Sequence, residues 1–391
     1  MSGTGRLAAV MAPAIAALVI AGCGSVPAPR PGQEAAAALP QLAMSVTAAN
    51  GTGWALVVMG GSSAQQDDFW ELFARPAGAA KWRLVTPAGV ASNGGLVAGV
   101  SGPQSLVTGF RPSQDLTFSP LAATTDGGAS WSSGALVSPG LADVPDALAA
   151  GPGGQLLALT QGGGAELGAR LGASWAKLAS AASLARTPAG RACGLTGLTA
   201  AAFSGSGAPM LAGRCGRTGT AGIFALTGGR WHAAGPVVPA ALTGGTAGRA
   251  VEVLRMATLG TRTQTVLESG AGPAATILTA WSNDGGGHWL LSAPLHPGAG
   301  GALSASFGTG GGVGLVLAGG RGEALAGPGA SWRALPALPR WTATLAVGPA
   351  GHLDALTAHG SSFADWQLPP GAASWTSAQT LSITIPYGSS G

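Results

Sequence analysis

Seven tryptophans divide the chain at intervals of 43 to 58 residues, and this spacing constrains the fold more than any other feature. Each follows a turn of glycine or other small residues. Between them lie pairs of short apolar runs, such as Leu96–Val100 with Ser105–Gly109, and Ala343–Val347 with Leu353–Thr357. Runs of this length, with Gly-rich turns between them, indicate strands and not helices. The tryptophans are Trp82, Trp131, Trp175, Trp231, Trp289, Trp332 and Trp375.

A period of roughly 40–50 residues with four short strands is typical of one propeller blade. The sequence therefore predicts an all-β fold, a β-propeller with seven four-stranded antiparallel blades, over residues 41–391. The Ala-rich stretch 179–186 is compatible with a helical turn, but its position among Gly-rich hairpins favours strand and loop. The blade number depends on each tryptophan marking one repeat.

Two of the turns share the pattern Ser/Thr-x-Asp-x-Gly-x-x-Trp. In such a turn an aspartate can accept backbone N–H bonds, a glycine can supply a positive φ, and a tryptophan can cover the loop. These residues therefore have a predicted structural role. They are Thr124, Asp126, Gly128 and Trp131 in the first turn, and Ser282, Asp284, Gly286 and Trp289 in the second.

This turn pattern resembles the Asp-box, or BNR repeat, of sialidase-like β-propellers. The resemblance implies the fold and the position of the motif on a hairpin turn. It also raises the possibility of sialidase activity, which in that family uses an arginine triad, a Tyr nucleophile paired with a Glu, an Asp acid/base and an early Phe-Arg-Ile-Pro motif. Here Phe110-Arg111-Pro112 departs from that motif, and the single tyrosine, Tyr387, lies almost at the C-terminus. We therefore assign no catalytic residue.

Other chemistry has little support in the sequence. A glycosidase needs two carboxylates facing one pocket, and the closest acidic pairs are Asp67 with Asp68 and Asp143 with Asp146, which we place on solvated loops. The histidines have no metal-ligand spacing. We therefore predict no metal and no cofactor. The histidines are His232, His288, His296, His352 and His359.

Composition excludes one class of partner. Charged residues make up 9% of the chain, and the 19 basic residues are scattered singly. Because nucleic-acid binding proteins carry a clustered basic surface, we expect no nucleic-acid partner. The 68 glycines fit a fold that is dense in turns.

The N-terminus has the organisation of an export signal. Arg6 precedes an uncharged stretch at 7–22 that ends at Cys23. This is signal-peptide length and too short to span a membrane comfortably. Ile20-Ala21-Gly22-Cys23 resembles the bacterial lipobox, which implies acylation of Cys23; the alternative is an ordinary secretory signal that contains a cysteine. We divide the chain into a signal peptide at 1–22, a lipidated Cys and Pro/Ala-rich tether at 23–40, and one propeller domain.

The remaining cysteines, Cys193 and Cys215, flank the first two predicted strands of the fourth repeat. An exported chain meets an oxidising compartment, so two remaining thiols most simply pair with each other. The sequence contains no Cys-x-x-Cys redox motif. We therefore predict a structural disulfide.

Together these features predict a monomeric lipoprotein anchored by its N-terminal lipid to the outer face of the cell membrane. Its propeller would bind a protein or a glycan through loops on one face, without catalysis. Two alternatives remain: a sialidase-like glycoside hydrolase, and an assembly factor for an envelope complex. Convergent acids or arginines in the central funnel would favour an enzyme, whereas a Gly/Ala/Ser lining would favour binding elsewhere.

The lipobox predicts the outcome of one substitution. Cys23→Ser should abolish lipidation, because the thiol is the acceptor of the diacylglyceryl group. Metabolic labelling with a fatty-acid probe measures this directly, with Cys193→Ser as the matched cysteine control that keeps its label. Label on the Cys23→Ser protein would contradict the lipobox interpretation.

Overall fold

The computed structural model describes residues 44–60, 69–87, 96–110, 121–133, 145–160, 162–217, 219–243, 250–270 and 272–383. Within these ranges the chain forms 28 β-strands, two short α-helices and four 3₁₀ turns. The strands pair antiparallel in chain order, in seven successive groups of four that we call units 1 to 7.

The first four units lie between residues 44 and 233. Unit 1 consists of β1 (Met44–Thr47), β2 (Gly53–Met59), β3 (Phe69–Arg75) and β4 (Arg83–Leu84); unit 2 of β5 (Leu96–Val100), β6 (Leu106–Phe110), β7 (Leu121–Thr124) and β8 (Ser132–Ser133); unit 3 of β9 (Pro145–Ala150), β10 (Leu156–Thr160), β11 (Gly164–Gly168) and β12 (Trp175–Ser180); and unit 4 of β13 (Leu195–Phe203), β14 (Pro209–Cys215), β15 (Gly222–Thr227) and β16 (Arg230–Ala233).

The last three units follow the same plan. Unit 5 consists of β17 (Val251–Leu259), β18 (Arg262–Ser269), β19 (Thr276–Ser282) and β20 (Leu290–Leu291); unit 6 of β21 (Ala302–Phe307), β22 (Val313–Leu317), β23 (Arg321–Leu325) and β24 (Arg333–Ala334); and unit 7 of β25 (Thr342–Val347), β26 (Leu353–His359), β27 (Ser362–Leu368) and β28 (Thr376–Ser382).

The apolar core lies between units and not inside them. At each junction, side chains from two neighbouring sheets form one buried cluster, as Trp54 of unit 1 does with Leu106 of unit 2, and Val97 of unit 2 with Leu156 of unit 3. The same arrangement continues through units 4, 5, 6 and 7. An antiparallel sheet that buries both faces against its neighbours is the arrangement of a propeller blade. The predicted all-β, β-propeller fold is confirmed.

Units 7 and 1 pack against each other in the same way, so the row of sheets closes on itself. Phe73 of β3 and Phe363 of β27 stack with ring centroids 3.9 Å apart in a shared cluster. Gly60 and Gly360 form an isolated antiparallel bridge. The Gln379 side chain accepts a bond from the Trp82 backbone N–H and donates one to the Trp82 carbonyl. Each unit is built from one continuous segment, so these contacts close the ring without strand exchange.

The recurrent tryptophans occupy one structural position, at or next to the start of the fourth strand of each unit. In units 5, 6 and 7 the indole Nε1 reaches back to the preceding unit. Trp289 donates to the carbonyl of Ala234 at 2.7 Å, and Trp332 donates to that of Ala293 at 2.9 Å. Trp375 donates to the carbonyl of Pro336 at 3.3 Å. The sequence period therefore marks a contact between neighbouring units.

The prediction of strand and loop at 179–186 was wrong for part of that stretch. The chain forms helix α1 at Ala181–Ala185 and helix α2 at Pro188–Cys193. Local chemistry explains both helices. Ser180 and Ser183 form a reciprocal capping box at the start of α1, whereas α2 begins with Pro188 behind a Thr N-cap and ends at a left-handed Gly194. Such caps outweigh the surrounding strand pattern.

A disulfide joins Cys193, at the end of α2, to Cys215, at the end of β14. Both residues are buried in the cluster between units 3 and 4. The bond therefore ties the helical connection to the sheet of unit 4. It encloses β13 and β14, the two strands that the sequence placed between these cysteines.

Buried charge accompanies the closure between units 7 and 1. Arg75 of β3 lies over the Trp82 ring at 4.9 Å, and its Nη1 is 2.7 Å from Asp354 Oδ2 of β26. His352 Nε2 is 3.1 Å from the other oxygen of Asp354. Asp365, on β27, is fully buried nearby. Burial, reinforced by the charge of Asp354, raises the pKa of Asp365 to about 7.

Asp365 should make stability depend on pH. Because the folded protein keeps this proton to a higher pH than the unfolded chain does, stability falls as pH rises from about 4 to about 7. Asp365→Asn removes the buried charge and should raise the free energy of unfolding at pH 8 by more than about 1 kcal/mol. Its advantage should shrink towards pH 4. Denaturant unfolding at several pH values measures both effects.

Asp354→Asn is the control. It removes the anion that faces Arg75, so it should destabilise the protein at every pH. An Asp365→Asn protein no more stable than wild type at pH 8 would contradict the buried-charge account.

Candidate functional site

The first strands of units 1 to 6 surround a cavity of about 390 Å³. It lies at the end of these strands where each turns into the second strand of its unit. The walls include Ala98 of β5, Ala149 of β9 and Ala200 of β13, and the rim includes Ala49 and Ser101. We call this space the channel cavity. Its volume lies within the range of small-molecule ligand pockets.

Unit 7 is excluded from the wall by its neighbours. Val46 of β1 and Phe307 of β21 pair in parallel, which joins units 1 and 6 in front of β25. Ser45 donates from its hydroxyl to the Leu345 carbonyl of β25 at 2.6 Å. The Ser304 hydroxyl bonds to that of Thr344 at 2.9 Å. Unit 7 therefore packs behind units 1 and 6 and does not line the channel cavity.

The lining is chemically simple. It consists mostly of Ala, Gly, Val and other apolar residues with a few hydroxyl groups, and no acidic side chain is among the described residues that line it. The glycosidase alternative needs two carboxylates facing one pocket. The described part of this wall does not provide them.

Arg255 is the exception in this lining. It lies on β17, its side chain is 7% exposed, and its Nε and Nη2 have no hydrogen-bond partner. Burial lowers the pKa of Arg255 to about 10, so it carries a charge at neutral pH. Our sequence interpretation missed this residue. The available clue was a lone arginine inside the apolar run Val253-Leu254-Arg255-Met256.

The acidic candidates lie elsewhere. Asp67, Asp68 and Asp143 are outside the described residues, as are Arg111 and Tyr387. Asp146 is described, and it corrects the loop prediction: it is part of strand β9 and is buried. Asp354 and Asp365 are buried at the closure between units 7 and 1, and neither lines a described cavity. Both side chains therefore belong to the packed junction between units 7 and 1.

Asp126 and Asp284 organise their turns in the same way. In the first turn, Asp126 Oδ1 accepts the Ser130 backbone N–H at 2.9 Å and the Thr124 hydroxyl at 2.8 Å. The Gly128 N–H donates to that same hydroxyl at 2.9 Å. The Ser130 hydroxyl and backbone together are the main reason that the pKa of Asp126 falls to about 2.

The second turn repeats these bonds with other donors. Asp284 Oδ1 accepts the His288 backbone N–H at 2.9 Å and the Ser282 hydroxyl at 2.8 Å. The backbone bond from His288 is the largest cause of the low pKa of Asp284. Gly286 has φ +99°, and a Cβ there would collide with the Ala234 backbone. Both turns lie at the outer end of a unit, away from the channel cavity.

A second, open cavity of about 830 Å³ lies on the outside of units 6 and 7. Trp341 lines it with φ +68°, which is strained for a bulky residue. The Trp341 ring stacks on His359 at 4.2 Å, and the Arg340 guanidinium lies 4.6 Å from the same ring. No carboxylate lines this cavity among the described residues.

Among the described residues, no group of three or more His, Cys, Asp or Glu side chains could hold a metal ion. No helix in the described part of the chain is both long and apolar enough to cross a membrane. Cys23, the signal segment and the tether lie outside the described residues.

Comparison with known proteins adds information about the fold. No family model matches the chain, and no curated protein matches it. Among solved structures, a candidate 6-phosphogluconolactonase from Bacteroides uniformis is similar at 11% identity, with a TM-score of 0.50 over 85% of this chain and 97% of that one. YCF48 bound to D1 peptide matches at 16% identity, with a TM-score of 0.43 over 84% and 91%.

A fungal lectin, the fucose-binding Aleuria aurantia lectin with a six-bladed β-propeller fold, matches at 13% identity and a TM-score of 0.39 over 88% of this chain and 96% of that one. At these identities the similarity concerns the fold alone. The ligands and activities of these proteins are not transferred to this chain by structural similarity.

The Asp turns give a direct test of structural against catalytic roles. Asp126→Ala and Asp284→Ala each remove an acceptor of a backbone N–H bond, so each should lower the melting temperature by about 2–4 °C. Neighbouring units brace each sheet, so the ring should stay folded and bind ligand normally below that temperature. Thermal melting and binding should be measured on the same samples, with Thr125→Ala as the exposed turn control. A variant with unchanged melting but lost function would assign these aspartates to a site.

Proposed function

We propose that this chain is an exported lipoprotein, anchored through Cys23 to the outer face of the cell membrane, whose seven-bladed propeller binds a protein or glycan ligand without catalysis. The seven closed units support the blade number. The signal-like segment and the cysteine that ends it support export and anchoring. The turn pattern supports a relationship to Asp-box propellers.

The observation that carries the binding function is the channel cavity. It is a preformed concave space at the ends of six first strands, with a rim of exposed small side chains on loops. Ligand sites of this kind combine a largely apolar wall with a few polar groups. The absence of acidic side chains from its described lining favours binding over glycoside hydrolysis.

Crosslinking in intact cells tests this function. Ala49→Trp and Ser101→Trp place a bulky side chain at exposed rim positions and should reduce the crosslinked partner at least about tenfold by steric exclusion. The control is Ala176→Trp, at an exposed position of β12, the edge strand that β11 and β10 separate from the cavity-lining strand β9. It should retain the partner.

Equal crosslinking by wild type and both rim variants would show that the ligand does not use this cavity. Turnover of a glycoside by the purified protein, abolished by replacing carboxylates, would instead favour the hydrolase alternative. Partners that are envelope-complex subunits would favour the assembly-factor alternative.

A further inference from the structure

Arg255 occupies a position that recurs from unit to unit. In units 4 to 7 the pairing of the first two strands shifts by one residue at the same place. The residue that follows the shift is Ala200 in unit 4, Arg255 in unit 5, Ser304 in unit 6 and Thr344 in unit 7. A bulge of this kind redirects a side chain. Three units place a short side chain there, and unit 5 places a guanidinium.

Among the described residues no carboxylate forms an ion pair with this guanidinium. Burial lowers its pKa. Two of its nitrogens lack a hydrogen-bond partner although the residue is more than nine-tenths buried. An unpaired buried charge is costly, and the other buried arginine of the ring, Arg75, faces Asp354. The described part of the fold therefore leaves the positive charge of Arg255 without an anionic partner.

The surroundings of Arg255 indicate which kind of ligand would bind its guanidinium. Its planar fork of N–H donors matches the two oxygens of a carboxylate. The rest of the described lining is mostly apolar, from Ala and Gly to Leu, Met and the rings of Phe203 and Phe307, with a few hydroxyl groups. It includes none of the Asn, Asp or Glu side chains that hydrogen-bond several sugar hydroxyls, and neither Trp nor Tyr. An apolar peptide segment fits such walls better than a glycan does.

We propose that Arg255 is the anion-binding residue of the channel cavity and that it holds the carboxylate of an apolar peptide segment. The proposal rests on the binding function given above and specifies the ligand class of that site. The carboxylate comes either from a peptide C-terminus or from an acidic side chain. Both offer the same group to the guanidinium.

A minimal probe tests the anion site without knowledge of the natural ligand. Saturating hexanoate should raise the melting temperature of the purified protein by about 2–4 °C, whereas hexanamide, its neutral counterpart, should not. Arg255→Met should lose the hexanoate effect. Without any probe it should melt no lower than wild type, because it removes an uncompensated charge and keeps the volume. Arg340→Met, at the exposed arginine of the second cavity, should respond like wild type.

Peptides then separate the two sources of the carboxylate. Labelled acetyl-Ala-Val-Ala-Leu with a free C-terminus is compared with its amide, and with an amide that has Glu in place of Val. Fluorescence polarisation should show roughly tenfold weaker binding of the plain amide, and a similar loss for the acid on Arg255→Met. Whichever carboxylate-bearing peptide binds better identifies the source. Glucuronate, which offers a carboxylate without an apolar segment, should compete more weakly than the carboxylate-bearing peptides.

Three results would overturn the proposal: hexanoate stabilising Arg255→Met as much as wild type, Arg255→Met melting several degrees below wild type without probe, or glucuronate competing better than the peptides. The first places the anion elsewhere, the second makes Arg255 structural, and the third indicates a glycan. These outcomes are separate from the crosslinking test. If the rim variants keep their partner while hexanoate still requires Arg255, the binding function fails and the anion site stands.

Discussion

Closure of the ring between unit 7 and unit 1 is the constraint on which the rest of the structure depends. Each sheet is formed by one continuous segment, so units 7 and 1 are not joined by a shared strand. Side-chain contacts hold them together instead. These contacts are the stacking of Phe73 on Phe363, the ion pair of Arg75 with Asp354, and the hydrogen bonds of Gln379 to the Trp82 backbone. Opening this junction would expose the buried faces of two sheets to water, which makes the closed ring the stable state.

The same closure shapes the channel. Parallel pairing of Val46 with Phe307 joins units 1 and 6 in front of β25, so six first strands and not seven form the described wall. The polar groups of this region are used within the fold, since the hydroxyls of Ser45, Ser304 and Thr344 bond to one another's strands. Arg255 differs because it has no such partner. The described wall thus combines apolar side chains and a few hydroxyl groups with one unpaired cation.

A buried carboxylate at the junction of units 7 and 1 and a buried guanidinium in the cavity wall differ in their access to a ligand. Burial raises the pKa of Asp365, yet this residue lies between two packed sheets and lines no described cavity. Arg255 is perturbed by burial as well, but it lines the cavity. A perturbed pKa therefore marks a candidate site only where geometry gives access to it. Asp126 and Asp284, the residues that dominate the sequence pattern, hold outer turns through backbone bonds.

The sequence by itself determined the strand composition, the repeat and the position of each tryptophan, because strand length, Gly-rich turns and a 43- to 58-residue period are local properties of the chain. It also placed the cysteines that form the disulfide. It misjudged helix α1, whose capping box depends on two single serines at Ser180 and Ser183, and it placed Asp146 on a loop. The tertiary structure alone decided which charges are paired. Arg75 and Asp354 are about 280 residues apart in the chain. Whether an arginine meets a carboxylate or lines a cavity depends on how distant strands pack, which no local pattern encodes.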